Sequence, residues 1–305
     1  MHRIVSFLPS ATEILYELEA SDNILAVTHE CNYPLEAKSK PKVIQSSFDP
    51  EKMSSHEIDN KVVELMKTGK EIYVLDEQVL KKANPDLIIA QGICEVCSPY
   101  TREIDKAVTL LDKKPEVLIL DPRNLDDVLQ NVLDVGNKIG KQENAKKFVT
   151  NLQERINFIK NISKISRPKI LCIEWLDPLF TAGHWIPQMV EIAGGINGIS
   201  FSGDKSKRMK IEEIIEFDPD IILLMPCGFD VKRTLLEYEK LNQNEKWREL
   251  KSVKNGEVYA VNANEYFSKP GPRIVTGLEI LAKIFHPDKF KDLRIPRNCV
   301  KKVDA

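Results

Sequence analysis

No stretch of this 305-residue chain approaches the roughly 20 consecutive apolar residues of a membrane span, so no membrane-spanning helix is expected. It also lacks an excess of positive charge. Lysine plus arginine total 44 against 46 aspartate plus glutamate, a formal net charge of -2, whereas a surface built to hold phosphate backbones carries a basic excess. Nucleic acid is thereby set aside as a partner. The six cysteines are not the dense, regular framework of a small secreted domain. The sequence also contains no Gly-x-Ser-x-Gly, no phosphate loop, no G-x-G-x-x-G after a strand and no H-E-x-x-H. His29-Glu30 does not open a zinc-protease helix, because Pro34 follows too soon. No catalytic set is found, and an enzyme is not expected. The short apolar run Ile4–Leu8 is no signal-peptide core and leads into a polar helix pattern, which predicts a cytoplasmic protein. The near-neutral surface without a long apolar stripe predicts a monomer.

What is present is a 42% hydrophobic, 30% charged composition, enough for packed cores. Short Val/Ile/Leu-rich runs recur, each followed by turn residues and a helical pattern: Arg3–Leu8, Asn23–Val27, Asp86–Ala90 and Val117–Leu120. Such alternation predicts parallel sheets flanked by helices. From Leu125 to about Ser163 the strand signal stops. Val128, Val132, Val135 and Ile139, then Phe148, Leu152, Ile156 and Ile159, recur at helical spacing, predicting one long helix or two nearly continuous ones. After Pro168 the strand–helix pattern restarts with Lys169–Glu174, Asp220–Met225 and Glu257–Val261. The segments Asn84-Pro85-Asp86-Leu87-Ile88-Ile89 and Asp218-Pro219-Asp220-Ile221-Ile222-Leu223 are near copies. The expected organisation is an N-terminal α/β lobe over residues 1–122, a linking helix over 123–166 and a C-terminal α/β lobe over 167–305.

Ligands bind outside the carboxyl ends of the strands in open α/β sheets. In the first half those ends carry Pro9, Ser10, His29, Glu30 and Gln91; in the second, Glu174, Trp175, His184, Trp185, Cys227, Tyr266 and Phe267. Trp175, Trp185 and Tyr266 suit a flat apolar ligand, and His29 or His184 could ligate a metal through a neutral imidazole nitrogen. Trp185, between Gly183-His184 and Ile186-Pro187, is expected to be partly exposed. Cys94 and Cys97 form a C-x-x-C unit that, with Cys31 and Cys227, could hold zinc or an iron–sulfur cluster, serve redox chemistry, or do none of these. Ser54 or Ser55 followed by Glu57 reads as a helix cap.

Four segments in order carry a resemblance: Arg3-Ile4-Val5-Ser6-Phe7-Leu8-Pro9-Ser10-Ala11-Thr12-Glu13, Thr28-His29-Glu30-Cys31-Asn32-Tyr33-Pro34, Phe180-Thr181-Ala182-Gly183-His184-Trp185 running on to Glu191-Ile192-Ala193-Gly194-Gly195, and Pro270-Gly271-Pro272-Arg273. With the helical stretch between them, these resemble the class III substrate-binding proteins that serve cobalamin, haem and iron-siderophore uptake. Ser54-Ser55-His56-Glu57-Ile58-Asp59 and Cys94-Glu95-Val96-Cys97 resemble a leaderless form of the cobalamin-binding branch. The resemblance implies two Rossmann-like lobes joined by a backbone helix, with a corrinoid or another tetrapyrrole or metal chelate held in the cleft between them. It also implies an ABC permease partner, docked through one glutamate per lobe. Glu212 matches one such position and Gln78 stands at the other. Glu30 and Gln91 depart from the branch, standing where its cleft carries aromatic rings.

Overall fold

The alternation of apolar strand residues builds two sheets, each inside its own unit of the computed structural model, which describes residues 2–92, 101–163 and 167–303. The strands are β1 (Ile4–Ser6), β2 (Ile24–Thr28), β3 (Lys42–Ser46), β4 (Tyr73–Leu75), β5 (Leu87–Gln91) and β6 (Glu116–Leu120), then β7 (Lys169–Leu176), β8 (Leu179–Thr181), β9 (Ile196–Asn197), β10 (Ile221–Leu224), β11 (Val258–Val261) and β12 (Val300–Lys302). The helices are α1 (Pro9–Glu17), α2 (Ser55–Thr68), α3 (Glu77–Ala83), α4 (Thr101–Leu110), α5 (Leu125–Lys138), α6 (Gln142–Ile162) and α7 (Ile186–Ile192), followed by α8 (Ile211–Phe217), α9 (Val231–Leu241), α10 (Glu245–Arg248), α11 (Lys251–Lys254), α12 (Ala263–Tyr266) and α13 (Ile274–Phe285). One unit comprises Met1–Met53, Asn60–Pro122 and Asp126–Asn151; the other comprises Ser54–Asp59, Arg123–Leu125 and Leu152–Ala305.

In the first unit the strand order is β4-β3-β2-β1-β5-β6, parallel except for β4. Successive side chains leave opposite faces of a strand. Ile4, Leu87 and Ile89 accordingly join Ile14, Leu15, Val132 and Val135 on one face. Val5, Ile88 and Ala90 join Leu80, Ile104 and Ala107 on the other. In the second unit the order is β12-β11-β10-β7-β8, with β9 also on β7. There Leu171, Ile173, Ile222 and Leu224 pack with Ile214, Tyr238 and Trp247.

The near-copied segments fold identically in the two units. α3 and α8 each end in a left-handed residue, Asn84 at φ 41° and Asp218 at φ 48°, before Pro-Asp and the strand. Asn and Asp tolerate that conformation because their short polar side chains bond locally. Asp86 then accepts from the Arg3 amide at 3.0 Å, and Asp220 from the Lys169 amide at 2.9 Å. Arg3 and Lys169 in turn donate to the last carbonyls of α3 and α8. A cation there complements the negative end of each helix.

The helical stretch after Leu125 is two helices, not one. The chain turns at residues 139–141, with Gly140 left-handed at φ 73° and Lys141 N donating to Gly136 O at 2.7 Å. Gly136 lies directly against Ala145, so a side chain there would collide with the start of α6. Among the described residues, no helix is long and apolar enough to cross a membrane.

Candidate functional site

The first unit's strand ends are held by a buried polar knot. Pro9 opens α1, where its missing N–H costs nothing. Ser6 Oγ donates to Leu8 O at 2.8 Å and Thr12 Oγ1 to Ser6 Oγ at 2.9 Å. Cys31 Sγ lies 3.2 Å from Thr12 Oγ1 and 3.3 Å from Thr28 Oγ1, fully buried. Burial pushes this thiol's pKa up in spite of the two hydroxyls. Cys31 is therefore a core residue and not the open-loop thiol that the sequence offered as one candidate metal ligand. Ser10 and Gln91 are buried as well. Pro9, His29 and Glu30 remain half-buried. His29 Nδ1 stands 3.3 Å from Ile44 O, an atom that can only accept, so Nδ1 is the donor in this contact.

In the second unit, β7 presents Glu174 and Trp175 half-buried at its carboxyl end, and Cys227 N donates to Glu174 O at 3.0 Å. Glu174 Oε2 accepts from Ser206 Oγ at 2.8 Å and from Gly183 N at 3.4 Å, tying the loop before α8 to the turn before α7. Gly183 is required there, since a Cβ would sit 2.5 Å from Asp204 O and Ser206 N. The next residue, His184, is left-handed at φ 54° and clamped on both sides. Its N donates to Asp204 O at 2.6 Å, and Gly203 N donates to its O at 2.9 Å. A non-glycine residue in this region persists only where its surroundings over-determine it. The half-buried imidazole stacks on Trp185 at 5.6 Å and 29°.

Trp185 itself departs from expectation. It is 6% exposed and its indole Nε1 donates to Phe267 O at 2.9 Å, so it is a buried support and not a partly exposed ring. Tyr266 and Phe267 are buried with it. Burial, reinforced by Glu265, raises the Tyr266 phenol far above the usual range. Trp175 is held otherwise: its Nε1 donates to Ser55 O at 3.1 Å and its ring lies 5.3 Å from that of Phe229. Ser206 and Gly203 carry no motif and were invisible in the sequence, and Ser55 was legible there only as a helix-cap residue; contact across long separations reveals what they hold.

Cys94 and Cys97 lie outside the described residues. Among the described residues no three or more His, Cys, Asp or Glu side chains are grouped to hold a metal ion. Gln78 and Glu212 occupy the same second position of α3 and α8. Gln78 is exposed, and Glu212 is exposed and paired with Lys246 at 2.7 Å, which holds its carboxyl below the usual range.

Comparison with known proteins places this architecture. Residues 4–265 match the model of the periplasmic binding protein family, and the chain belongs to that family. It is a binding protein, not an enzyme. It is 26% identical over 298 residues to the uncharacterized ABC transporter substrate-binding lipoprotein YvrC of Bacillus subtilis, covering 95% of this chain and 82% of the relative. It is 22% identical over 284 residues to the vitamin B12-binding protein of Vibrio cholerae, covering 91% and 86%. The apo structure of the periplasmic heme-binding protein RhuT of Roseiflexus sp. RS-1 superposes with a TM-score of 0.69 at 19% identity, covering 94% and 99%. These findings overturn the cytoplasmic expectation: the relatives are a lipoprotein and periplasmic proteins. The leaderless form implied by the resemblance has no support in them. An apolar first strand at Ile4–Ser6 marks where the fold starts and carries no information about delivery.

Proposed function

We propose that this chain is the substrate-binding component of an ABC-type uptake system, working outside the cytoplasmic membrane, and that its substrate is a corrinoid of the cobalamin class. The observation that carries the reading is the set Glu174, Trp175, His184 and Cys227. These side chains stay accessible around the β7 and β10 carboxyl ends while Trp185, Tyr266 and Phe267 form a buried backing. An accessible indole gives a flat macrocycle large contact area at small entropic cost, and imidazole is a side chain of the type that ligates a chelated metal. Likeness to the vitamin B12-binding protein along most of the chain supports the corrinoid choice among tetrapyrroles. The matched second positions of α3 and α8 supply the permease contacts in this reading, through Gln78 and Glu212.

Titration with hydroxocobalamin, followed by its visible spectrum and by the protein's melting temperature, tests this. Ligand at a hundred times Kd should add about 2.7 kcal/mol of stability. No change in either signal at tens of micromolar ligand would overturn the reading. Binding of haemin without binding of hydroxocobalamin would overturn the corrinoid and leave the tetrapyrrole class standing.

A further inference from the structure

We infer that Ser54–Asp59 is a strap that positions Trp175, an inference resting on Trp175 being a ligand-binding ring as proposed above. This segment precedes β7 by more than a hundred residues, yet it is grouped with the second unit. Its helix start is capped in part from within. Ser54 N and Oγ both donate to Glu57 Oε2 at 2.8 Å, and Glu57 N donates back to Ser54 Oγ at 3.4 Å. That reciprocal cap satisfies two of the four N–H groups a helix start leaves unpaired, and the Ser55 N–H is met from outside the segment. The contacts of Ser55 tie this helix start to residues far along the chain.

Ser55 itself is 1% exposed. Its N and Oγ donate to Glu237 Oε2 of α9 at 3.1 and 2.6 Å. A carboxylate at a helix N-terminus is favoured by the helix dipole, and hydrogen bonds to an ionised acceptor are the stronger kind. The Ser55 carbonyl is thereby fixed, and it is the atom that accepts from Trp175 Nε1. Two flanking pairs keep the strap in register. Arg208 donates to Asp59 at 2.7 Å, and His56 Nδ1 stands 3.4 Å from Asp177, which also pairs with Lys240 at 2.5 Å. On its other side the indole meets Phe229, a buried ring with the Arg233 guanidinium 3.9 Å from its centroid. One contact fixes the N–H and the other fixes the face. A half-buried tryptophan is thus oriented before any ligand arrives, and pre-orientation removes an ordering cost from binding.

Ser55 and Glu237 are positioning residues in this account. Ser55→Ala, Glu237→Ala and Glu237→Gln, each alone and combined with Trp175→Phe, are titrated with hydroxocobalamin and melted. Loss of the charge-assisted bond in Ser55→Ala or Glu237→Ala should weaken binding about tenfold. Glu237→Gln, which keeps an acceptor, should weaken it by roughly a third of that factor. In the Trp175→Phe background, which has no indole N–H to orient, the same substitutions should add less than about twofold, because coupled residues are not additive. Glu237→Ala should also lower the melting temperature, because it leaves the buried Ser55 N–H and O–H without their acceptor, whereas Glu237→Gln should lower it less. A wild type that binds, with strap variants of unchanged affinity, overturns the inference alone. So do equal losses with and without the Trp175 indole. A wild type that binds no tetrapyrrole overturns the functional reading, and this inference with it.

Discussion

Trp185→Ala is the substitution whose outcome the structure reverses most clearly. A tryptophan at a strand-end turn invites the reading of a ligand-stacking ring, whose removal would cost affinity and spare the fold. In the structure it is 6% exposed, stacked under His184, with its indole N–H bonded to Phe267 O. Truncating a buried tryptophan to alanine costs about 3–5 kcal/mol through lost transfer energy and the cavity left behind. The orphaned Phe267 carbonyl lies within that range, since a buried acceptor without its donor costs about 1–3 kcal/mol. Taking about 4 kcal/mol and roughly 2–4 °C per kcal/mol for a unit of this size, the melting temperature should drop by roughly 10 °C. Trp185→Phe, which keeps most of the volume and loses the N–H, should recover more than half of that. Thermal melts and urea midpoints of both variants, with hydroxocobalamin titration of each, decide the matter. A loss below about 1 kcal/mol in Trp185→Ala, typical of a surface site, with a large fall in affinity would refute the assignment of Trp185 as buried support.

Three further outcomes follow from the same geometry. Gly183→Ala places a Cβ 2.5 Å from backbone atoms of Asp204 and Ser206, so the turn and the loop must part; a loss of about 1–3 kcal/mol is expected in urea unfolding, and none would contradict the close approach. Lys251, then the Lys169 amide, hold the Asp220 carboxyl below the usual aspartate range. A depressed folded pKa gives stability that is complete above the unfolded value of about 4 and lost as pH falls through the folded one, so Asp220→Asn should flatten acid unfolding below about pH 4 and should not alter the slope above pH 5. Burial, then the Lys289 charge, lowers the pKa of His286, which is 5% exposed. The same sign applies: its contribution is complete above about pH 6.5 and declines as pH falls below it, so His286→Gln should flatten the change in urea midpoint between pH 7.5 and 5.

The two α/β units were legible because buried parallel strands are continuous apolar runs, and Pro-Asp after a helix repeats in both. The short antiparallel edge strands β4 and β12 were not. β4 and β12 are three residues each, and Val300-Lys301-Lys302 is too charged to read as a strand until Cys299, buried beside it, and β11 are seen. The carboxyl-end loops were located correctly as segments, but which of their side chains face outward was not. Period-2 and period-3.6 patterns govern strands and helices, whereas a turn such as Gly183-His184-Trp185 is set by contacts with Asp204, Ser206 and Phe267. Trp175 and Trp185 look alike in the sequence and differ in burial, in ring partner and in what their N–H groups find.

Among the described cysteines, Cys31, Cys172 and Cys299 are buried, and Cys227 is the partly accessible one, adjoining Glu174 at the face proposed to take the ligand. Its alkylation by iodoacetamide, followed peptide by peptide with and without saturating hydroxocobalamin, reports on that face directly. The account predicts that bound ligand slows modification of Cys227 about tenfold or more while the protein stays folded, as steric exclusion of a thiolate requires. An unchanged Cys227 rate in protein shown by its spectrum to hold the ligand would contradict it.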